Sequence, residues 1–101
     1  MPRISLHPEA AAEAEVARSW YEAREEGLGS AFVEELDRAL ALIRERPEIW
    51  PIYLAGTRRF LIRRFPFAVI YRIHSSIIQV LAIGHLKRRP GYWKSRGSRR
   101  Q

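Results

Sequence analysis

The chain of 101 residues is 47% hydrophobic and has no cysteine, which excludes an intrinsically disordered protein, a disulfide framework and a thiolate zinc site. Its net charge of +7 conceals an asymmetry: residues 1–50 carry −5 and residues 51–101 carry +12, because the second half contains no aspartate or glutamate. A half-chain without carboxylates projects a positive field toward phosphate or an acidic protein partner, whereas a merely solvated face normally mixes both signs.

The first quarter of the chain predicts a strand followed by a helix. Residues 3–6 (RISL) are expected to form a short strand. Pro8 then occupies the first position of a helix whose first turn holds Glu9. The helix is expected to run to Glu26 and to end at Gly27. The residues at helical spacing on one side are Ala10, Ala14, Val16, Ala17, Trp20, Tyr21 and Arg24.

A second helix follows after a short loop. Ser30 is the predicted N-cap, and an apolar repeat then ends before Arg46 and Pro47. The repeat consists of Phe32, Leu36, Leu40 and Ile43. We assign Trp20, Phe32, Leu36 and Leu40 to the hydrophobic core. Two helices joined by about three residues are expected to pack as an antiparallel hairpin.

The second half changes from helical to strand periodicity. Three strands rich in β-branched and aromatic residues are predicted at residues 58–64, 67–74 and 77–83. Pro66 and the serine pair at 75–76 separate them, and connections so short make neighbouring strands antiparallel. The predicted order is therefore β-α-α-β-β-β, an α+β fold with the helical hairpin on one face of a small, mainly antiparallel sheet.

A single domain is expected over residues 1–96, followed by a basic, disordered tail at residues 97–101. No apolar run approaches the roughly 20 residues that span a bilayer, and the opening MPRISLHPEA lacks the apolar segment of a secretory signal. We therefore expect a cytoplasmic protein. His7 and His74 show no ligand spacing, so we expect neither a metal site nor a cofactor.

The C-terminal part of the chain carries a specific pattern. FPFAVIYRI at residues 65–73 is followed by VLAIGHLKRRPGYW at residues 80–93. The ending formed by His85, Arg89, Pro90, Tyr92, Trp93 and Arg96 is similar to that of plasmid stabilisation proteins. Earlier in the chain, four further residues are similar to residues at the corresponding places in those proteins: Pro8, Trp20, Tyr21 and Pro47. Over nearly its whole length the chain thus resembles the RelE/ParE superfamily of type II toxin–antitoxin toxins.

This resemblance implies a small basic toxin in a toxin–antitoxin hetero-oligomer. The cognate antitoxin would hold it inactive by wrapping an acidic, partly disordered segment around it, and the +12 half of the chain suits such a partner. The superfamily has two toxic activities. RelE-type members cut mRNA in the ribosomal A site, whereas ParE-type members inhibit DNA gyrase without cutting nucleic acid.

Cleavage of RNA through its 2′-hydroxyl needs a proton acceptor, a proton donor and cations that stabilise the charged phosphorane, and it requires no metal. For this chemistry the candidate catalytic residues are His85, Arg89 and Tyr92. Candidates for binding the target or its phosphates are Arg63, Arg88, Trp93 and Arg96. The structural alternatives are that His85 caps the edge of the core and that Tyr92 and Trp93 fold back to seal the sheet.

Two positions depart from the RNA-cutting members. The resemblance implies an arginine in the strand where this chain has Ala68, and a second one after the final strand where it has Leu86. We therefore favour a toxin that inhibits growth by binding its target, as ParE-type members act on gyrase. The alternatives are a ribosome-dependent mRNA endoribonuclease and a non-toxic relic that binds only an antitoxin-like partner and DNA.

The antitoxin is expected to bind the apolar and basic groove between the helical hairpin and the sheet, next to an exposed strand edge. The candidate contacts are Arg58, Arg59 and Arg72. We expect the complex to weaken but persist as salt rises, because buried apolar anchors are screened less than exposed charges.

Overall fold

A computed structural model describes residues 2–98 of the chain. The strands are β1 (Arg3–Leu6), β2 (Arg58–Leu61), β3 (Phe67–His74) and β4 (Ile77–His85). The helices are α1 (Pro8–Arg24), α2 (Leu28–Glu45) and a short α3 (Lys94–Ser98), and a 3₁₀ turn covers Leu54–Gly56. The predicted order of one strand, two helices and three strands is confirmed, and so is the α+β class. The 3₁₀ turn and α3 are additional elements.

The four strands form one mixed sheet in the order β1-β4-β3-β2. β2, β3 and β4 form the predicted antiparallel meander, whereas β1 pairs with β4 in parallel. β1 reaches only from Ile77 to Val80 along β4. Within residues 2–98, residues 81–85 therefore have β3 on one side and no strand on the other. We call residues 81–85 the open half of β4.

A β-bulge in β4 decides which of its side chains face the helices. The pairing of β3 with β4 shifts by one residue between Ile70 and Tyr71, and Leu81 is the additional residue of β4. A bulge interrupts the alternation of side chains between the two faces of a sheet. Ile83 and His85 consequently lie on the helix-facing side, whereas an unbroken alternation would turn both to the opposite face.

Both faces of the sheet are covered. The helical hairpin packs on one face, where the fully buried large side chains include Phe32, Ile43, Val69, Tyr71, Ile78, Val80 and Ile83. The chain that follows β4 covers the second face, where the buried cluster consists of Ala68, Ile70, Leu81, Ala82 and Trp93. Because removing apolar surface from water drives folding, the chain beyond β4 is an integral part of the domain.

The predicted core is correct except for one residue. Phe32 and Leu36 are buried, and Leu40 is partly buried against the same cluster. The prediction that Trp20 belongs to the core is wrong, because its side chain is 50% exposed. α1 buries the small residues Ala10 and Ala17, and Trp20 remains at the rim of the helix. There the guanidinium of Arg24 lies 3.8 Å from the indole ring centroid, as in a cation–π pair.

The connection between the two helices differs from the prediction. α2 begins at Leu28 rather than after a cap at Ser30. Gly27 takes the N-cap position with a left-handed φ of 87°, which glycine adopts at little cost. The Glu22 carboxylate reaches over from α1 and accepts the N–H groups of Gly27 at 3.0 Å and Gly29 at 2.9 Å. These bonds satisfy the start of α2 and lower the pKa of Glu22.

Four further predicted boundaries move. α1 ends at Arg24 instead of Glu26. β2 ends at Leu61 instead of residue 64, and β4 continues to His85 instead of residue 83. Residues 97 and 98, assigned to the tail by the sequence, are part of α3, and residues 99–101 lie outside the described residues. Within residues 2–98, no helix is long and apolar enough to cross a bilayer.

Candidate functional site

The predicted site residues meet where β4 ends. His85 closes β4 and packs edge-on against Phe67, with 5.1 Å between the two ring centroids. Its Nδ1 accepts the backbone N–H of Lys87 at 3.0 Å. The neutral imidazole therefore carries its proton on Nε2, since Nδ1 uses its lone pair in that bond. In this arrangement the neutral ring is a hydrogen-bond donor toward any ligand at Nε2.

The chain after β4 folds back over the second face of the sheet, and we call residues 86–98 the C-terminal segment. Its Trp93 is 2% exposed and packs in the cluster on the second face. The ring of Tyr92 lies against Gly84, where an added Cβ would stand 2.5 Å from the tyrosine Oη. A glycine at this position of β4 therefore allows the tyrosine ring to approach the strand this closely.

A small basic cleft opens on the second face, between β2 and the C-terminal segment. Its volume is about 110 Å³. The polar and aromatic residues that line it include Tyr53, Arg59, His85, Arg88, Arg89 and Tyr92, and no carboxylate is among them. Two of its arginines lie over aromatic rings: the Arg59 guanidinium is 4.4 Å from the centroid of Tyr53, and the Arg88 guanidinium is 3.8 Å from that of Tyr92. Such stacking orients the two cations.

A larger apolar groove lies between α1 and the open half of β4. Its volume is about 740 Å³. The apolar residues that line it include Ala12, Val16, Trp20, Pro66, Phe67 and Ile83, and the charged ones are Glu9, Glu13, Arg88 and Arg96. Val16 is 68% exposed and Trp20 is 50% exposed, so α1 contributes exposed apolar surface to the groove. His85 and Arg88 line both the groove and the basic cleft, so the two concavities adjoin.

One carboxylate, that of Glu13 in α1, connects these elements. Its Oε1 accepts the backbone N–H of Ile83 at 2.8 Å. Its Oε2 accepts the hydroxyl of Tyr92 at 2.7 Å and the Nη2 of Arg96 at 3.0 Å. Arg96 in turn donates from Nη1 to the carbonyl of Leu81 at 2.9 Å. The edge of the open half of β4 is thus capped by side chains rather than by a strand.

The ionisation of this cluster follows from its burial and its charges. Burial, the hydrogen bond to Glu13 and the charge of that carboxylate together raise the pKa of Tyr92 to about 12. Burial alone would lower the pKa of Arg96, but the hydrogen bond and charge of Glu13 outweigh it and raise that pKa. Tyr92 is therefore neutral and Arg96 is charged at physiological pH.

Of the seven residues predicted for catalysis and target binding, the structure brings five to the basic cleft. His85, Arg88, Arg89 and Tyr92 line the basic cleft. Trp93 also borders the cleft, but its burial leaves the ring no exposed face for a base, and Arg96 is paired with Glu13. Arg63 lies exposed in the connection between β2 and β3 and lines neither concavity. Within residues 2–98, no group of three His, Asp or Glu side chains is arranged to hold a metal ion.

The three arginines predicted to contact the antitoxin do not form one surface. Arg58 and Arg59 are neighbours in β2 and point to opposite faces. Arg58 donates to the carbonyl of Trp50 at 2.7 Å, whereas Arg59 lines the basic cleft. Arg72 donates to the side chain of Gln79 at 2.8 Å.

The two positions that depart from the RNA-cutting pattern are both in the basic cleft. Ala68 and Leu86 line it, Ala68 from the sheet and Leu86 from the C-terminal segment. Leu86 is 49% exposed. The cleft therefore presents an alanine methyl group and an isobutyl group at positions where the resemblance implies two cations.

Glu13 is the residue that the sequence analysis missed. It lies three residues after Ala10 and four before Ala17, and both alanines are buried. A carboxylate at this spacing falls on the packed side of an amphipathic helix, which is the signal that distinguishes it from the exposed glutamates of α1.

No model of a protein family matches the sequence, and no curated protein matches it. Several solved structures, however, match the structure of this chain. A chain of the chromosomal ParDE system of P. aeruginosa is 18% identical, with a TM-score of 0.63 over 84% of this chain and 96% of that one. A chain of the intact E. coli RelBE toxin–antitoxin complex is 18% identical, with a TM-score of 0.65 over 87% and 100%. The isolated E. coli RelE toxin is 17% identical, with a TM-score of 0.64 over 94% and 95%. The chain therefore has the RelE/ParE toxin fold, as the sequence pattern indicates.

Proposed function

We propose that this protein is the toxin of a type II toxin–antitoxin module, that it inhibits growth by binding its target in the cytoplasm, and that an acidic antitoxin neutralises it. Its fold is that of chains in the ParDE and RelBE systems. Its basic cleft contains three arginines and no carboxylate. An acidic antitoxin segment would complement the +12 charge of the second half of the chain.

The target that we propose is DNA gyrase, and the observation that carries this choice is the hydrogen bond of His85. The lone pair of its neutral ring accepts the N–H of Lys87, so none remains to take a proton from a 2′-hydroxyl. The hydroxyl of Tyr92 is likewise engaged with Glu13. A cleft without an available base is better suited to holding a partner than to cutting RNA.

A ribosome-dependent mRNA endoribonuclease is the second candidate. The convergence of His85, Arg88 and Arg89 in one cleft favours it, because a proton donor beside two cations suits a phosphodiester. Under this alternative His85→Ala would relieve growth inhibition while antitoxin binding remains. Under the binding proposal the same variant would still inhibit growth, since His85 performs no chemistry.

We propose that the antitoxin occupies the apolar groove. Val16 and Trp20 offer exposed apolar surface there, and the open half of β4 lies alongside. An antitoxin that wraps around the domain would then reach Arg59 on the second face, and Arg58 and Arg72 along its path. These contacts would add charge complementarity to the apolar anchors.

The test of the toxin proposal is expression of the protein in a bacterial host, first alone and then with the product of the open reading frame next to its own. We expect growth arrest that the co-expressed antitoxin relieves. Unimpeded growth at a confirmed level of folded protein would contradict the proposal and favour a non-toxic relic that only binds its partner and DNA.

A further inference from the structure

Glu13 ties α1 to parts of the chain that are far away in sequence. Its partners Ile83, Tyr92 and Arg96 lie 70, 79 and 83 residues along the chain. The side chain of Glu13 is 17% exposed and that of Arg96 is 12% exposed, so water screens their pairing only weakly. One carboxylate thus holds a helix, a strand edge and the C-terminal segment in a fixed arrangement.

Backbone bonds also attach the C-terminal segment to the domain. The N–H of Leu86 donates to the carbonyl of Pro66 at 2.9 Å. The backbone bonds that follow are local, such as those from Tyr92 to Arg89 and from Arg96 to Trp93. Burial of Trp93 attaches the segment to the sheet but is not directional. Directional side-chain contacts also orient it: Tyr92 and Arg96 donate to Glu13, and Arg96 donates as well to the carbonyl of Leu81 and to Glu9. Among these partners only Glu13 binds both Tyr92 and Arg96.

The orientation of Tyr92 sets the position of a cleft arginine. The Arg88 guanidinium lies 3.8 Å from the centroid of the Tyr92 ring, and both residues line the basic cleft. The hydrogen bond from the Tyr92 hydroxyl to Glu13 fixes the position of the ring, and the Arg88 guanidinium stacks on that ring. Glu13 lines the apolar groove together with Arg88 but does not line the basic cleft, and its hydrogen bond to Tyr92 is the contact by which it reaches the cleft.

We infer that Glu13 is the positioning residue of the basic cleft: it holds Tyr92 and Arg96 so that the C-terminal segment presents Arg88 to the target. This role rests on the proposed function, in which the cleft and the segment together dock the target. Glu13 itself makes no contact with the target in this scheme.

The test compares Glu13→Gln, which keeps the shape of the side chain and removes its charge, with Glu15→Gln as the matched control. Glu15 lies on the same helix, is exposed and pairs with Arg18. Hydrogen exchange of the full chain is followed in residues 86–98 and in α2. We expect Glu13→Gln to exchange about tenfold faster in the segment, as the loss of a charge-assisted bond predicts, and as slowly as wild type in α2. Glu15→Gln should match wild type in both regions.

Growth inhibition is the second readout. We expect it to fall with Glu13→Gln and to persist with Glu15→Gln. Inhibition that survives despite a loosened segment would overturn the inference, and so would inhibition that falls while exchange in residues 86–98 is unchanged. If Glu13→Gln does not fold, Tyr92→Phe removes the same hydrogen bond by a single atom and is judged by the same two readouts. A wild-type protein that does not arrest growth would refute the proposed function alone, since hydrogen exchange still decides whether Glu13 holds the segment.

Discussion

The hydroxyl of Tyr92 reports on its neighbour Glu13. Burial, the hydrogen bond and the carboxylate charge hold the pKa of Tyr92 at about 12. In Glu13→Gln we expect this pKa to fall, because a neutral amide no longer repels the phenolate. The absorbance of tyrosinate during an alkaline titration measures the change. Tyr71, whose pKa burial also raises to about 12, serves as the internal reference, and identical curves for variant and wild type would contradict the prediction.

The raised tyrosine pKa values also predict a loss of stability at alkaline pH. From about pH 10 upward the unfolded chain releases phenolic protons that the folded chain still holds at Tyr71 and Tyr92. The folded state binds more protons in this range, so its stability falls as the pH rises from about 10 to about 12. Denaturant midpoints should therefore be lower at about pH 11 than at about pH 8. A denaturant midpoint that rises between about pH 8 and about pH 11 would contradict the predicted loss of stability.

Individual site residues are predictable from sequence when they are neighbours in the chain. His85, Arg88, Arg89 and Tyr92 fall within one short run and also meet in space. Glu13 is not predictable in the same way, because its partners follow it by 70 or more residues. The sequence of α1 contains several glutamates, and only the folded structure shows that Glu13 is the one beside the edge of β4.

Among the elements, the helical hairpin depends on a close approach at Gly29. An added Cβ there would lie 2.7 Å from the backbone oxygen of Arg18 and 2.9 Å from the Glu22 carboxylate. Gly29→Ala should therefore push α1 and α2 apart and destabilise the protein by about 1–3 kcal/mol, despite the better helix propensity of alanine. Denaturant unfolding measures the difference. A stability equal to wild type would show that the hairpin adjusts without strain.

Ser30 provides the matched control for this substitution. It follows Gly29 in α2, is exposed, and is not the helix cap because α2 begins at Leu28. Ser30→Ala should change stability by no more than about 0.5 kcal/mol. If Ser30 were the cap that the sequence pattern suggests, the same change would cost about 0.5–2 kcal/mol. The two substitutions together test the hairpin connection.

Regular elements are predictable from periodicity, and their irregularities are not. β3 spans Phe67–His74 as the alternation of its side chains indicates. The bulge at Leu81 has no comparable signature, because it arises from pairing with β3 and not from β4 itself. The start of α2 is misjudged for a related reason. Its first N–H groups are satisfied by Glu22 of the preceding helix, whereas the sequence pattern points to a local serine.

At the scale of the whole molecule, the two halves of the chain differ in charge. The eleven acidic residues all lie in residues 1–50. Ten of the twelve basic residues of the second half lie in the strands, their connections and the C-terminal segment, and Arg99 and Arg100 lie outside the described residues. The +12 half predicts an antitoxin complex that salt weakens. Between about 0.1 M and 1 M salt we expect its Kd to rise about 10-fold to 100-fold, with binding retained through apolar anchors. A Kd independent of salt would show that charge plays no part.

The overall order of elements is predictable because each segment has its own period and each connection is short. The covering of the second sheet face is not predictable in the same way. Tyr92 and Trp93 are adjacent aromatic residues, and their sequence fits an exposed base-stacking pair as well as a packed one. In the folded chain the two side chains have different environments. Trp93 is buried in the cluster on the second face, and Tyr92 donates a hydrogen bond to Glu13.

The measurement that tests the central claim most directly follows two quantities in the same cells after the protein is induced without its antitoxin. One is the integrity of mRNA at translated codons, and the other is the supercoiling of a reporter plasmid. We predict that supercoiling fails early while mRNA remains intact, because under the proposed function the basic cleft binds its target and His85 is not available as a base. Early cuts at codons with normal supercoiling would contradict this and make the protein an endoribonuclease.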